Sequence, residues 1–72
     1  ILTERIEGDL FVTMQHPMEK THFISFFAFV TADRVQLVKL YPEQDAAARF
    51  PVHGRGSLFA FCYRHGLFLK KV

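Results

Sequence analysis

Apolar residues fall in short runs that Gly, Pro and Asp interrupt about every ten positions, the punctuation of an all-β chain. Leu2 to Ile6 and Leu10 to Met14 flank Glu7-Gly8-Asp9, which predicts a first hairpin with Gly8 in the positive φ of a tight turn. Phe23 to Val30 and Arg34 to Leu40 flank Thr31-Ala32-Asp33 and predict a second. In its second arm Val35 and Leu37 alternate with Gln36, so those two apolar residues are expected on a covered face. Tyr41-Pro42 closes this hairpin, because proline cannot donate to a ladder. The stretch from Asp45 to Ala48 suits a helical turn by its alanines and a loop by its length. After Phe50-Pro51-Val52, His53-Gly54-Arg55-Gly56 reads as a flexible turn. Ser57 to Tyr63 then places Phe59, Phe61 and Tyr63 on one face and Leu58, Ala60 and Cys62 on the other. Gly66 turns the chain into a last strand, Leu67 to Val72. Six or seven short strands in this order predict a β-sandwich.

Composition narrows the picture. Seventy-two residues, half of them apolar, make one domain with a small core. Ordering such a chain costs about 1.5 kcal/mol per residue, which burial at this size barely offsets, so a further constraint such as a metal is expected. The single cysteine, Cys62, excludes an internal disulfide and every CxxC motif. The longest apolar stretch, Phe23 to Val30, is far short of the roughly 20 residues that cross a bilayer, so no membrane span is expected and the expected location is cytoplasmic. Nine basic and seven acidic side chains leave a net charge of +2, scattered so that the only adjacent cations are Lys70 and Lys71. A nucleic-acid binder would gather its cations on one face with stacking aromatics between them, and none is expected to bind here. Because it begins at Ile1, the chain is expected to be processed or part of a longer one.

Chemistry concentrates in two places. His16 and His22 bracket Pro17-Met18-Glu19-Lys20-Thr21. Extended, that segment would hold the two rings roughly 20 Å apart, and only a loop doubling back, which Pro17 favours, lets them meet. Two unrelated surface histidines are the plainer alternative. In Cys62-Tyr63-Arg64-His65-Gly66 a thiol and an imidazole end an apolar strand, with Gly66 free to turn both toward one point. The alternative is a buried cysteine acting as a small hydrophobe beside an ordinary turn histidine. Taken together, three imidazoles and a thiolate suit iron or zinc and serve calcium or magnesium poorly. Such an ion would cross-link distant parts of the chain and contribute folding free energy.

These residues resemble the superoxide reductase family, the neelaredoxin and desulfoferrodoxin iron domain. The resemblance rests on His16-Pro17-Met18, His22-Phe23-Ile24, Leu40-Tyr41-Pro42 and Cys62-x-x-His65-Gly66-Leu67, and runs over nearly the whole chain. It implies an immunoglobulin-like β-sandwich with a mononuclear non-haem iron bound by His16, His22 and His65 in the equatorial plane and Cys62 on the axis; zinc is an expected substitute. It also implies one-electron reduction of superoxide to hydrogen peroxide, with Cys62 tuning the iron and electrons from a rubredoxin-like donor. The family's fourth histidine lies before the first hairpin beside a glutamate-lysine pair, upstream of where this chain starts. Here Glu19 and Lys20 are the charges expected at the site mouth, Lys20 as the candidate catalytic cation. His53, on its Gly-rich turn, is expected at the surface and outside the site.

Two other readings compete. In one, the same sandwich is a metal-binding or redox-sensing module of a larger protein such as a bacterial transcription regulator. In the other it is a metal-free interaction domain with Phe23, Phe26, Phe27, Phe29, Phe59 and Phe61 as core. A homo-oligomer is compatible with all three.

Overall fold

The structure, a computed structural model, describes residues 1–52 and 54–72; His53 and the surface position expected for it lie outside the described residues. Seven strands form: β1 Leu2–Ile6, β2 Asp9–Thr13, β3 Phe26–Val30, β4 Val35–Lys39, β5 Ala47–Pro51, β6 Ser57–Cys62 and β7 Gly66–Lys71. They make a three-stranded sheet, β1-β2-β5, and a four-stranded sheet, β4-β3-β6-β7, with every neighbouring pair antiparallel. The chain changes sheet between β2 and β3, between β4 and β5, and between β5 and β6, the Greek-key path of the immunoglobulin-like sandwich expected from the sequence.

Alternation along each strand builds the core between the sheets. Leu10 and Val12 of β2 and Ala48 and Phe50 of β5 point inward from one side; Phe27 and Phe29 of β3 and Leu58, Ala60 and Cys62 of β6 point inward from the other. The rings of Phe29 and Phe50 meet across the gap with centroids 5.9 Å apart. Ile24, Leu40 and Ala46 complete the buried cluster, with Met14 and Met18 packed against it.

Four local expectations are corrected by the tertiary structure. Ile6 pairs with Asp9, leaving a two-residue loop whose left-handed residue is Glu7, at φ 57°, and not Gly8. The strand expected from Phe23 begins at Phe26, although the Ser25 N–H still donates to Phe61 O at 2.8 Å. The ambiguous Asp45 to Ala48 stretch leads into β5, because pairing with β2 satisfies its backbone groups. Val35 and Leu37 lie on the outer face of β4. Register explains this: Gln36 and Val38 stand opposite the inward-facing Phe29 and Phe27. Gln36 is tolerated on that side because its Nε2 donates to Pro51 O at 3.0 Å. Of the six phenylalanines expected as core, only Phe27 and Phe29 are buried; the others are half-buried.

Candidate metal centre

Two turns at one end of the sandwich bring four side chains to one point. The first follows β2. Beyond Pro17, Glu19 and His22 exchange backbone hydrogen bonds, Glu19 N–H to His22 O at 2.9 Å and His22 N–H to Glu19 O at 3.1 Å, around the tip Lys20-Thr21. The segment doubles back, and the His16 and His22 ring centroids come within 4.7 Å. The second turn ends β6. There the His65 N–H donates to Cys62 O at 3.1 Å, and Gly66 takes a φ of 89°, open to glycine and strained for other residues.

His65 Nδ1 lies 3.3 Å from His16 Nε2 and 3.4 Å from His22 Nε2. The three rings stand nearly perpendicular to one another, at 77° to 81°. One ligand atom from each histidine and the Cys62 sulfur all lie within 4.8 Å of one another. Two ligands on opposite sides of one ion, each at about 2.0–2.3 Å, would be up to about 4.6 Å apart, so this spacing suits a single ion. Cys62 is fully buried, His16 and His22 are half-buried and His65 is exposed; the sulfur approaches from the core and the imidazoles surround the point toward solvent.

Hydrogen bonding prepares the ring nitrogens. His16 Nδ1 is 2.7 Å from Pro17 O. A carbonyl can only accept, so Nδ1 carries the proton and Nε2 keeps a lone pair aimed at the common point. His65 Nδ1 holds at most one proton to share with two nitrogens, and a cation satisfies all three nitrogens together. Desolvation, then the neighbouring His65 and His16 and the Arg64 guanidinium, hold His22 below the ordinary imidazole pKa of 6.5, against an opposing pull from Glu19. A neutral imidazole is the form that ligates metal.

No protein-family model matches the chain. The superoxide reductase from Treponema pallidum aligns in structure with a TM-score of 0.83 at 22% sequence identity, over 97% of this chain and 61% of that one, a likeness of fold. The desulfoferrodoxin of Clostridium acetobutylicum is 34% identical over 55 residues, which cover 76% of this chain and 44% of that protein. This chain is a domain of the superoxide reductase family. It spans under half the length of the curated relative it matches.

Within this superoxide reductase-family domain, His16, His22, Cys62 and His65 converge. Lys20 sits at the tip of the first turn with its Nζ 4.0 Å from a Glu43 carboxylate oxygen, both side chains largely exposed. Tyr63 had no role in the sequence reading beyond its strand face. Its hydroxyl donates to Thr21 O, and its ring meets Phe23 edge-on at 6.4 Å. Met18 also acts locally, its sulfur accepting from the Ile24 N–H at 3.4 Å. The signal available for Tyr63 was its place between two candidate ligands. Among the described residues no helix is long and apolar enough to cross a membrane.

Proposed function

We propose that His16, His22 and His65 and the Cys62 thiolate hold one mononuclear iron ion, and that this centre serves the one-electron reduction of superoxide to hydrogen peroxide. The observation that carries the reading is the convergence of three imidazoles and one buried thiol within 4.8 Å in a domain of this family. The donor set fits iron or zinc and disfavours hard oxygen-seeking cations. When bound, ferrous iron supplies the single electron and, still net positive beside three neutral imidazoles and one thiolate, attracts an anion.

The chain's own groups do the rest. The carbonyl of Pro17 orients His16, and the buried position of Cys62 shields its sulfur from solvent. Exposed His65 leaves the outer side of the centre reachable by a small anion. Lys20 and Arg64, on the two turns that bear the ligands, supply positive potential at its mouth. Each turnover consumes one electron and two protons per superoxide, and a rubredoxin-like protein is the proposed donor of the electron. Zinc in the same ligands would be a redox-silent substitute.

The test is metal analysis followed by pulse radiolysis. One iron per chain, a visible thiolate-to-iron band absent in Cys62→Ser, and superoxide consumption without dioxygen release are expected. Stoichiometric iron without superoxide consumption would favour the redox-sensing reading; no iron uptake would overturn the proposal.

A further inference from the structure

Most of the cations in this chain have a partner within the fold. Arg49, Arg34 and Lys20 stand against Asp9, Asp33 and Glu43, Lys39 lies over the Tyr41 ring, and Lys70 donates to Ile1 O. Arg64 belongs to the turn that bears Cys62 and His65. The remaining three, Arg5, Arg55 and Lys71, meet at a cleft of about 560 Å³ that Gly56, Ser57 and Val72 complete. Among the described residues no carboxylate side chain lines this cleft, and none of its three cations is in an ion pair.

Local structure holds the cations in place. The Gly56 N–H donates to Val72 O at 3.2 Å and the Val72 N–H to Gly56 O at 3.0 Å, so the turn before β6 is tied to the end of β7. A Cβ at position 56 would run into Val30 O, so this turn sits directly against the end of β3. Arg55 and Lys71 each precede one member of that tie, and Ser57 stands opposite Lys71 in the ladder. Arg5 comes from the other sheet; opposite inward-facing Leu10, it points from edge strand β1 toward the gap between the sheets. Three distant segments thus bring like charges together, an arrangement that costs energy until a counter-charge arrives.

We propose that this cleft binds a small polyanion through a diphosphate group. Guanidinium forks pair bidentately with phosphoryl oxygens, a lysine adds a point charge, and the Ser57 hydroxyl can donate to a further oxygen. A diphosphate, trianionic near neutral pH, balances the three cations, whereas a single phosphate leaves one of them uncompensated. The volume lies within the range of about 300–1,000 Å³ usual for small-ligand sites and exceeds what one phosphate fills. No aromatic ring lines the cleft, so it lacks the stacking platform of a single-strand binder. It opens where β6 begins, whereas Cys62 ends that strand. Five residues at about 3.3 Å separate the two by about 17 Å. That is about twice the screening length at physiological salt, so the cleft is electrostatically separate from the candidate metal centre and does not depend on which metal binds there.

Isothermal titration calorimetry of the full chain with sodium diphosphate tests this, with amide shifts to map the site and metal content measured after each titration. One diphosphate per chain is expected, bound at least about tenfold more tightly than sulfate and weakened as salt is raised. Shifts should fall at Arg5, at Arg55 to Ser57 and at Lys71 and Val72. Arg5→Gln with Lys71→Gln should weaken binding at least about tenfold, while Lys39→Gln, which removes a charge elsewhere, should bind as wild type does. ADP bound about as tightly as diphosphate identifies the free anion as the source, and tighter ADP binding identifies an ester; both support the site. No diphosphate binding, equal binding of sulfate, or tighter binding of oligoglutamate, which would make this a contact for an acidic peptide, would overturn the proposal. Shifts mapping to another surface, or heat accounted for wholly by metal lost to diphosphate, would overturn it as well, whether or not the double variant folds.

Discussion

The hydroxyl of Tyr63 donates to the carbonyl oxygen of Thr21, tying the turn that carries His65 to the turn that carries His22. The tie joins two segments more than forty positions apart at the point where the four candidate ligands meet. Tyr63→Phe removes the hydroxyl alone and keeps the ring against Phe23. A neutral hydrogen bond of this kind contributes about 0.5–1.5 kcal/mol, so release of bound metal to a chelator should accelerate about 2- to 10-fold. Stopped-flow transfer to a chromogenic chelator reads this directly, and an unchanged rate would show that the tie does not hold the site.

Metal should stabilise the fold, since its candidate ligands come from both sides of the core. At a free metal concentration 100 times the dissociation constant, binding contributes about 2.7 kcal/mol. For a domain of this size that raises the melting temperature by about 10–20 °C. Chelation should abolish the increment, and Cys62→Ser should lose most of it. Calorimetry with and without chelator measures both. The substitution also buries a hydroxyl where Cys62 is fully enclosed, costing about 1–3 kcal/mol in the metal-free protein.

Gly56 should not accept alanine. A Cβ there would run into the carbonyl oxygen of Val30 and come within 2.9 Å of a Phe29 ring carbon. The clash involves backbone and a buried ring, neither of which yields cheaply, so Gly56→Ala should cost about 1–3 kcal/mol. Gly66→Ala meets no neighbour within 4 Å, but must adopt a φ of 89°. Urea denaturation of both variants separates a steric cost from a conformational one.

In the metal-free protein, His22 should titrate below 6.5, with a midpoint readable from its ring proton shifts. The sign follows from linkage. The unfolded chain takes up this proton at a higher pH than the folded one, so the His22 contribution to stability is complete above about 6.5 and is lost as pH falls toward the lowered folded value. Replacing His65 or His16 removes one of the charges that depress it and should move the midpoint upward. An unmoved midpoint in both variants would leave desolvation and the Arg64 guanidinium as the causes.

Much of the site was legible because its requirements are local. Pro17 after His16 signals a bend, and Gly66 after His65 signals a left-handed turn; both occur where the ligands need them. The inward set Leu58, Ala60 and Cys62 was legible too, because a strand repeats every two residues. Val35 and Leu37 misled for the same reason. Alternation divides β4 into two faces without saying which one meets the other sheet, and both faces of the four-stranded sheet are apolar.

Taken alone, then, the sequence determined the β architecture, the principal turns and a candidate ligand set of three imidazoles and one thiol, because each depends on residues near one another in the chain. Tertiary structure decided the rest. It made Ala47–Pro51 a strand by pairing it with β2, turned Leu37 outward through the register of Gln36 with Phe29, and required glycine at position 56 beneath Val30. It also brought His16 and His22 to the end of β6. These outcomes depend on contacts between residues far apart in the chain, whose register and approach are set only when the two sheets close on a shared core.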